Sequence, residues 1–499
     1  MPNQRRDFLK LGAAGALWQP PQALAAPPSN APYYNVLDFG AVADGKTVAT
    51  AALQKAVDAC AAGGGGKLVF PAGRYITSPI FLKSNVHVEV LAGATVHGSG
   101  DIEHCPSIQG RWEGIDRTVY ASLFTGHDLE NVSITGRGTL DGNGKVWWDA
   151  FRKTAAMRRQ AGLNDRESEN PAGSPLKWGR PRIINLYRCK NVWISGLTIV
   201  NSPSWNVHPV ECQNVNIDGL TITGPENGPN TDGIDPDSCK DVRISNCYIS
   251  VGDDCIIIKS GYVPVPGRPF TPCEDIVVTN CVFGTGHCGV GVGSETAGGV
   301  RNVTISNCVC DGTQRGLRFK TARGRGAPVE HVRASNIVMR NMLQEAVHVT
   351  MFYAGGDKKT PQPVDAGTPT FRNFHFSGIT VTGARRAAVI EGLPERPMDG
   401  LTISDFVVDG AGASISCLNV TGLRLQGVSV NPVKGQPVIS FENVADAVVE
   451  SSTAREGTGT FLELRGPDNR EITLASNRLK RAVKEIEFTA GATEKALAR

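Results

Sequence analysis

A hexapeptide that occurs seven times constrains this chain more than anything else in it. Asn131-Val132-Ser133-Ile134-Thr135-Gly136 is echoed by Asn191-Val192-Trp193-Ile194-Ser195-Gly196, Asn214-Val215-Asn216-Ile217-Asp218-Gly219 and Asp241-Val242-Arg243-Ile244-Ser245-Asn246. It returns again as Asp275-Ile276-Val277-Val278-Thr279-Asn280, Asn302-Val303-Thr304-Ile305-Ser306-Asn307 and His331-Val332-Arg333-Ala334-Ser335-Asn336. Each unit alternates apolar with polar residues, the period of a β-strand. From Val192 through Val215, Val242, Ile276, Val303 and Val332 the steps are 23, 27, 34, 27 and 29 residues. One unit cannot bury its own apolar face, so it must stack on the next. Variable steps then mean loops of variable length on a constant coil. The expectation is an all-β, single-domain parallel β-helix. Asn246, Asn280, Asn307 and Asn336 share one position of the unit and are expected to stack as an Asn ladder.

The flanks of the repeats follow from the same logic. Ala51, Leu53, Ala56, Val57 and Cys60 have helical spacing, which predicts a short amphipathic helix capping the open end of the stack. Residues 149 to 174 break the period and carry Arg152, Lys153, Arg158, Arg159 and Arg166. They read either as a short helix and loop beside a cleft or as a solvated loop. Residues 354 to 369 read as a loop, and residues 480 to 499 as charged and peripheral. The 57 glycines among 499 residues favour short strands and tight turns.

A formal net charge of +3 implies no bulk affinity for nucleic acid or membrane. Residues 1 to 25 read as an export segment to be removed, leaving 26 to 499 as the domain. Asn3-Gln4-Arg5-Arg6-Asp7-Phe8-Leu9-Lys10 resembles a twin-arginine signal, a mildly apolar stretch follows, and Ala23-Leu24-Ala25 is a cleavage pattern. The reading is a bacterial protein, periplasmic or extracellular, with no membrane span in its mature form, acting as a monomer. Thirteen cysteines are an odd number. Several sit in strand patterns, so most read as small buried hydrophobes, with room for one or two bridges. Their spacings match no zinc pattern.

Four polar clusters recur at about one-coil intervals: Asn230-Thr231-Asp232, Gly252-Asp253-Asp254, Gly286-His287-Cys288-Gly289 and Arg318-Phe319-Lys320. The gaps from Asp232 to Asp253, to His287 and to Arg318 are 21, 34 and 31 residues. On a coiled sheet they fall on one stripe of three carboxylates, an imidazole and two cations. That set suits acid/base cleavage of an anionic substrate. Three close acids repel, so at least one should have a raised pKa. Arg318 and Lys320 alternate in a strand and point the same way, a fork and a point charge for a carboxylate. Glycines 284, 286, 289, 291 and 293 are expected to let a flat ligand approach the backbone.

Those four motifs, in that order, resemble the pectin-degrading glycoside hydrolases of the polygalacturonase family (family 28), whose marks are Asn-Thr-Asp, Gly-Asp-Asp, Gly-His-Gly and Arg-Ile-Lys. The similarity runs from about Asn35 to about residue 440. The resemblance implies a right-handed parallel β-helix that hydrolyses α-1,4 galacturonosyl bonds with inversion and no metal. It implies Asp253 as general acid, Asp232 and Asp254 as the pair activating water, and His287 as the histidine tuning the acid. Arg318 and Lys320 would bind the galacturonate carboxylate, with Tyr353 as substrate-binding tyrosine and Asn230 beside them. The implied partner is a pectic polysaccharide or oligogalacturonide. Two residues depart from the pattern. Phe319 replaces Ile and should point into the core; Cys288 replaces the second Gly and is expected to narrow the cleft. The basic pair favours polygalacturonan over rhamnogalacturonan. A calcium-dependent pectate lyase and a non-catalytic carbohydrate-binding β-helix are the rival readings.

Overall fold

The computed structural model describes residues 32–163, 170–262, 270–412 and 414–498. The export segment and Arg166 lie outside the described residues. The chain from Pro32 onward forms one compact unit, a right-handed parallel β-helix. The repeats coincide with its strands. Val132 pairs with Val192, Val192 with Val215, Val215 with Val242, Val242 with Ile276, Ile276 with Val303, and Val303 with Val332. All seven are at most 1% exposed. The two-residue alternation therefore puts one aliphatic column inside at each coil, and a second column follows two residues later. Burying the branched columns is the main driving force for stacking.

The first residue of each repeat is a corner. Asn131, Asn191, Asn214, Asp241, Asp275, Asn302 and His331 all have φ between 55° and 60°, the left-handed region that Asn and Asp tolerate best. The corner also carries the ladder. Asn131 donates to Asn85 at 2.8 Å, Asn191 to Asn131 at 3.0 Å, and Asn214 to Asn191 at 2.8 Å. The expected ladder at the other corner is only partial. Asn336 donates to Asn307 at 2.7 Å, but Asn246 bonds to Asp218 and Asn307 to the Thr279 hydroxyl. Asp218 and Thr279 stand one residue before the ladder position of their coils, opposite Ser245 and Ser306, and their oxygens take up those amides instead.

Helix α1, Thr50–Ala62, caps the N-terminal end with Leu53, Ala56, Val57 and Cys60 buried and Ala51 exposed. Helix α2, Gly144–Gln160, begins before the predicted insertion and buries Trp147, Trp148, Ala150 and Thr154. It packs beside an antiparallel hairpin, Ser107–Trp112 with Ile115–Tyr120. Its arm shares a small core of Tyr120, Trp147, Ala150 and Leu176. Residues 480 to 498 are mostly exposed and peripheral, yet they carry a strand. Lys484–Thr489 pairs with Thr460–Arg465 and completes the last coil. No described helix is long and apolar enough to cross a membrane.

All thirteen cysteines are buried and unbridged. Cys189, Cys212, Cys239 and Cys273 stack inside consecutive coils, each backbone N–H of the first three pointing at the next sulfur at 3.4 Å. The cysteines thus behave as small buried hydrophobes, and the one or two bridges left open by the sequence do not form.

Candidate active site

The site lies on the outer face of the short strands that begin near Ile184, Val207, Ile234, Ile256, Cys288 and Arg315. Val207, Ile234 and Ile256 bridge in parallel. Ile256–Ile258 pairs with Cys288–Val292, and that strand with Arg315–Lys320. Inward residues of this sheet are apolar, so the outward columns hold the polar set. Backbone bonds from Asn206 N–H to Asp232 C=O at 2.8 Å, Gly233 to Asp254 at 3.0 Å and His287 to Asp253 at 2.9 Å bring the acids onto adjacent coils. Residues scattered over some ninety positions of sequence become neighbours because the coil returns.

The structure brings the sequence-predicted residues together. His287 Nδ1 and Asp253 Oδ1 are 2.8 Å apart. Lys320 Nζ donates to Asp254 Oδ2 at 2.6 Å, and Arg318 Nη1 is 3.5 Å from Asp254 Oδ1. Donor atoms of Asp253, Asp254 and His287 all lie within 4.8 Å of one another. The Tyr353 ring faces both cations, 5.6 Å from the Arg318 guanidinium and 5.2 Å from Lys320 Nζ. Asn230, at φ 50°, turns the chain into Asp232 and accepts from Arg180 at 2.7 Å.

The surroundings treat the three acids differently. Burial, then the Asp253 charge, pushes the Asp232 carboxyl well above the usual carboxylate range. Lys320 and Arg318 overcome burial at Asp254 and hold it well below that range. The hydrogen bond to Asp253 raises the His287 imidazole. Asp253 and His287 are the open members, with side chains 19% and 39% exposed against 2% for Asp254. Asp232 Oδ1, Asp254 Oδ1 and Arg318 Nε are buried and accept or donate no hydrogen bond. Buried polar atoms without partners are costly, so these mark where a polar substrate or water belongs.

Two expectations fail. Cys288 is fully buried against Asp254, closed off from solvent, and does not narrow the cleft. The glycines serve coil stacking, not ligand approach. A Cβ at Gly291 would lie 2.1 Å from the Arg318 carbonyl, and one at Gly293 would lie 1.9 Å from that of Lys320. At Gly284, Gly286 and Gly289 a Cβ would meet Ser250, Asp253 and Cys310 at 2.6–2.8 Å. Phe319 behaves as expected, buried and stacked 5.5 Å from Phe376.

A second row of charge escaped the sequence reading. Lys259 is buried with Asp235 at 3.7 Å, Glu295 at 3.4 Å and the Trp205 ring at 5.0 Å. Arg111 reaches from the hairpin to Asp237 at 2.9 Å and Glu211 at 2.7 Å. Burial holds the nearby His208 imidazole down to about 3, hence neutral. The one available signal was Asn201-Ser202-Pro203-Ser204-Trp205-Asn206-Val207-His208-Pro209, an unalternating run between two repeats. Arg111 sits 126 positions from Asp237, and no spacing rule connects them.

Fold and site together define a carbohydrate-cleaving β-helix with an acid cluster and a cationic wall. The chain belongs to the glycosyl hydrolases family 28, whose sequence profile matches residues 60–430, and it is a glycoside hydrolase. It is 33% identical over 417 residues to a "Probable polygalacturonase" of Vitis vinifera, covering 81% of this chain and 80% of that one. To an endo-polygalacturonase of Pectobacterium carotovorum subsp. carotovorum it is 32% identical, covering 68% and 78%. Among solved structures it is similar to a hyperthermoactive exopolygalacturonase from Thermotoga maritima, with a TM-score of 0.67 and 31% identity, covering 83% and 91%. Membership of this family implies a pectic polysaccharide substrate.

Proposed function

We propose that the protein is an exported polygalacturonase that hydrolyses α-1,4 galacturonosyl linkages of pectin with inversion. The observation that carries this is Asp254, an ionised acid clamped by Lys320 and Arg318 and flanked by Asp232 on one side and Asp253 with His287 on the other. Asp254 is the base that takes a proton from water. Asp232, which burial and the Asp253 charge push toward its protonated form, holds that water with it. Asp253, open to the cleft beside His287, delivers a proton to the departing sugar oxygen. Arg318, Lys320 and Tyr353 seat a uronate, the cations on its carboxylate and the ring on its apolar face. The near edges of Asp253 and Asp254 are closer than the roughly 6.5–9.5 Å that usually leaves room for water between an inverting pair. The attacking water therefore sits on the Asp232 side of Asp254. Export rests on the arginine pair and cleavage pattern of residues 1 to 25.

The test is release of reducing ends from polygalacturonate, with Asp253→Asn as control. We expect turnover in the parent, a loss of about 10²–10⁴-fold in the variant, and first products of β configuration by NMR. No activity on any pectic fraction ends the reading. A calcium-dependent lyase fits the donors poorly. Calcium takes oxygen ligands, whereas this cluster includes an imidazole and an acid already neutralised by two cations. A chelator should leave the rate unchanged, and products should not absorb in the near ultraviolet.

A further inference from the structure

The groove is not open along its whole length. On the N-terminal side of Asp232 the Ser107–Tyr120 hairpin crosses the outer face of the site sheet. Arg111 anchors it to Asp237 and Glu211. Trp112 stacks on Trp205 with ring centroids 5.3 Å apart. At the tip, Gly114 C=O accepts from Tyr262 N–H at 3.1 Å, so the tip reaches the coil that follows Lys259. A Cβ at Gly114 would lie 2.9 Å from the Glu295 side chain. A polymer running outward from Arg318 past Asp253 meets this hairpin.

Between hairpin, α2 and the Asn230 turn lies a pocket of about 310 Å³. Trp112, Trp178, Arg158, Arg159, Arg180 and Asn230 line it. That volume is at the small end for a ligand pocket, enough for a sugar or a pair of them. Flat aromatic faces suit the apolar face of a sugar ring, and guanidinium forks suit its carboxylate. Arg180 is 1% exposed, stacked 4.1 Å over Phe151, and joins pocket to site by donating to Asn230. Its Nε has no hydrogen-bond partner. Arg158 is held by Asn170 Oδ1 at 3.0 Å, which fixes the wall.

We propose that this pocket is a subsite for the terminal uronate of a pectic chain, and that the enzyme cuts from a chain end. The proposal rests on the pectin-hydrolase reading above and adds its mode of attack. Arg318, Lys320 and Tyr353 then hold the uronate on the far side of the scissile bond.

The test compares viscosity loss with reducing ends released from polygalacturonate, and sizes products from trigalacturonate and longer oligomers labelled at the reducing end. Expected are slow viscosity loss and one constant short product from the first turnovers, with label consistently in one fragment class. In Arg158→Ala/Arg159→Ala, KM for trigalacturonate should rise tenfold or more while kcat stays within threefold. Free galacturonate should compete with substrate in the parent and galactose should not. Rapid viscosity loss with mixed product sizes overturns the chain-end reading and leaves the pectin hydrolase standing, as does an unchanged KM in the double variant. Absence of hydrolysis on every pectic polymer overturns both.

Discussion

The ion pair between Lys320 and Asp254 should be measurable as a coupling. Both side chains are buried, at 6% and 2% exposure, and their charged atoms are 2.6 Å apart. Lys320→Gln leaves the Asp254 carboxylate with Arg318 alone, 3.5 Å away. Stranding a buried charge costs about 3–5 kcal/mol. The surviving guanidinium puts this case at the low end, near ~3 kcal/mol. In the double variant Asp254→Asn/Lys320→Gln no charge is stranded, so the single effects should fail to add by about 2 kcal/mol or more. The assay is urea unfolding of the parent, both single variants and the double variant at neutral pH. The Lys320→Gln cost should shrink as pH falls, because Asp254 then takes up a proton. If Lys320 also seats the uronate, kcat/KM on polygalacturonate should fall about 10²-fold, each factor of ten being about 1.4 kcal/mol. Additive stabilities, with a cost independent of pH, would refute the assignment.

Other outcomes follow from the same geometry. Asp254 has a depressed pKa in the folded protein; its contribution is present above the unfolded value of about 3.9 and lost as pH falls below it. Asp232 is shifted upward, so its contribution is full below about 3.9 and fades as pH rises through its folded value. In Asp232→Asn the loss of unfolding free energy with rising pH should therefore be smaller than in the parent, read by urea titration from mildly acid to neutral pH. Gly291→Ala should destabilise by several kcal/mol and lower the melting temperature, since its Cβ would meet a backbone carbonyl at 2.1 Å. A thiol reagent should find almost no reactive cysteine in the native protein and thirteen after denaturation; fewer would reveal a bridge.

Much of this protein was written in one dimension. The Asn-Val-x-Ile unit is legible because two constraints act on each residue locally. Alternation sends Val192 and Ile194 inward, and the left-handed corner at Asn191 tolerates few residues besides Asn, Asp and Gly. Periodicity then fixes which motifs share a face, so the juxtaposition of Asp232, Asp253, Asp254, His287, Arg318 and Lys320 could be anticipated from gaps alone. What periodicity cannot convey is anything that leaves the coil. The hairpin carrying Arg111 and Trp112, the α2 arm and the buried Lys259 row meet the site through contacts between distant segments, Arg111 with Asp237 being 126 residues apart. The purpose of Gly291 and Gly293 was equally hidden, because a glycine's reason is the atom it makes room for, and that atom belongs to the next coil. Only packing in three dimensions decided which acid keeps its proton. Pairing with cations lowers Asp254, while burial beside Asp253 raises Asp232, although both are the same residue in the same stripe.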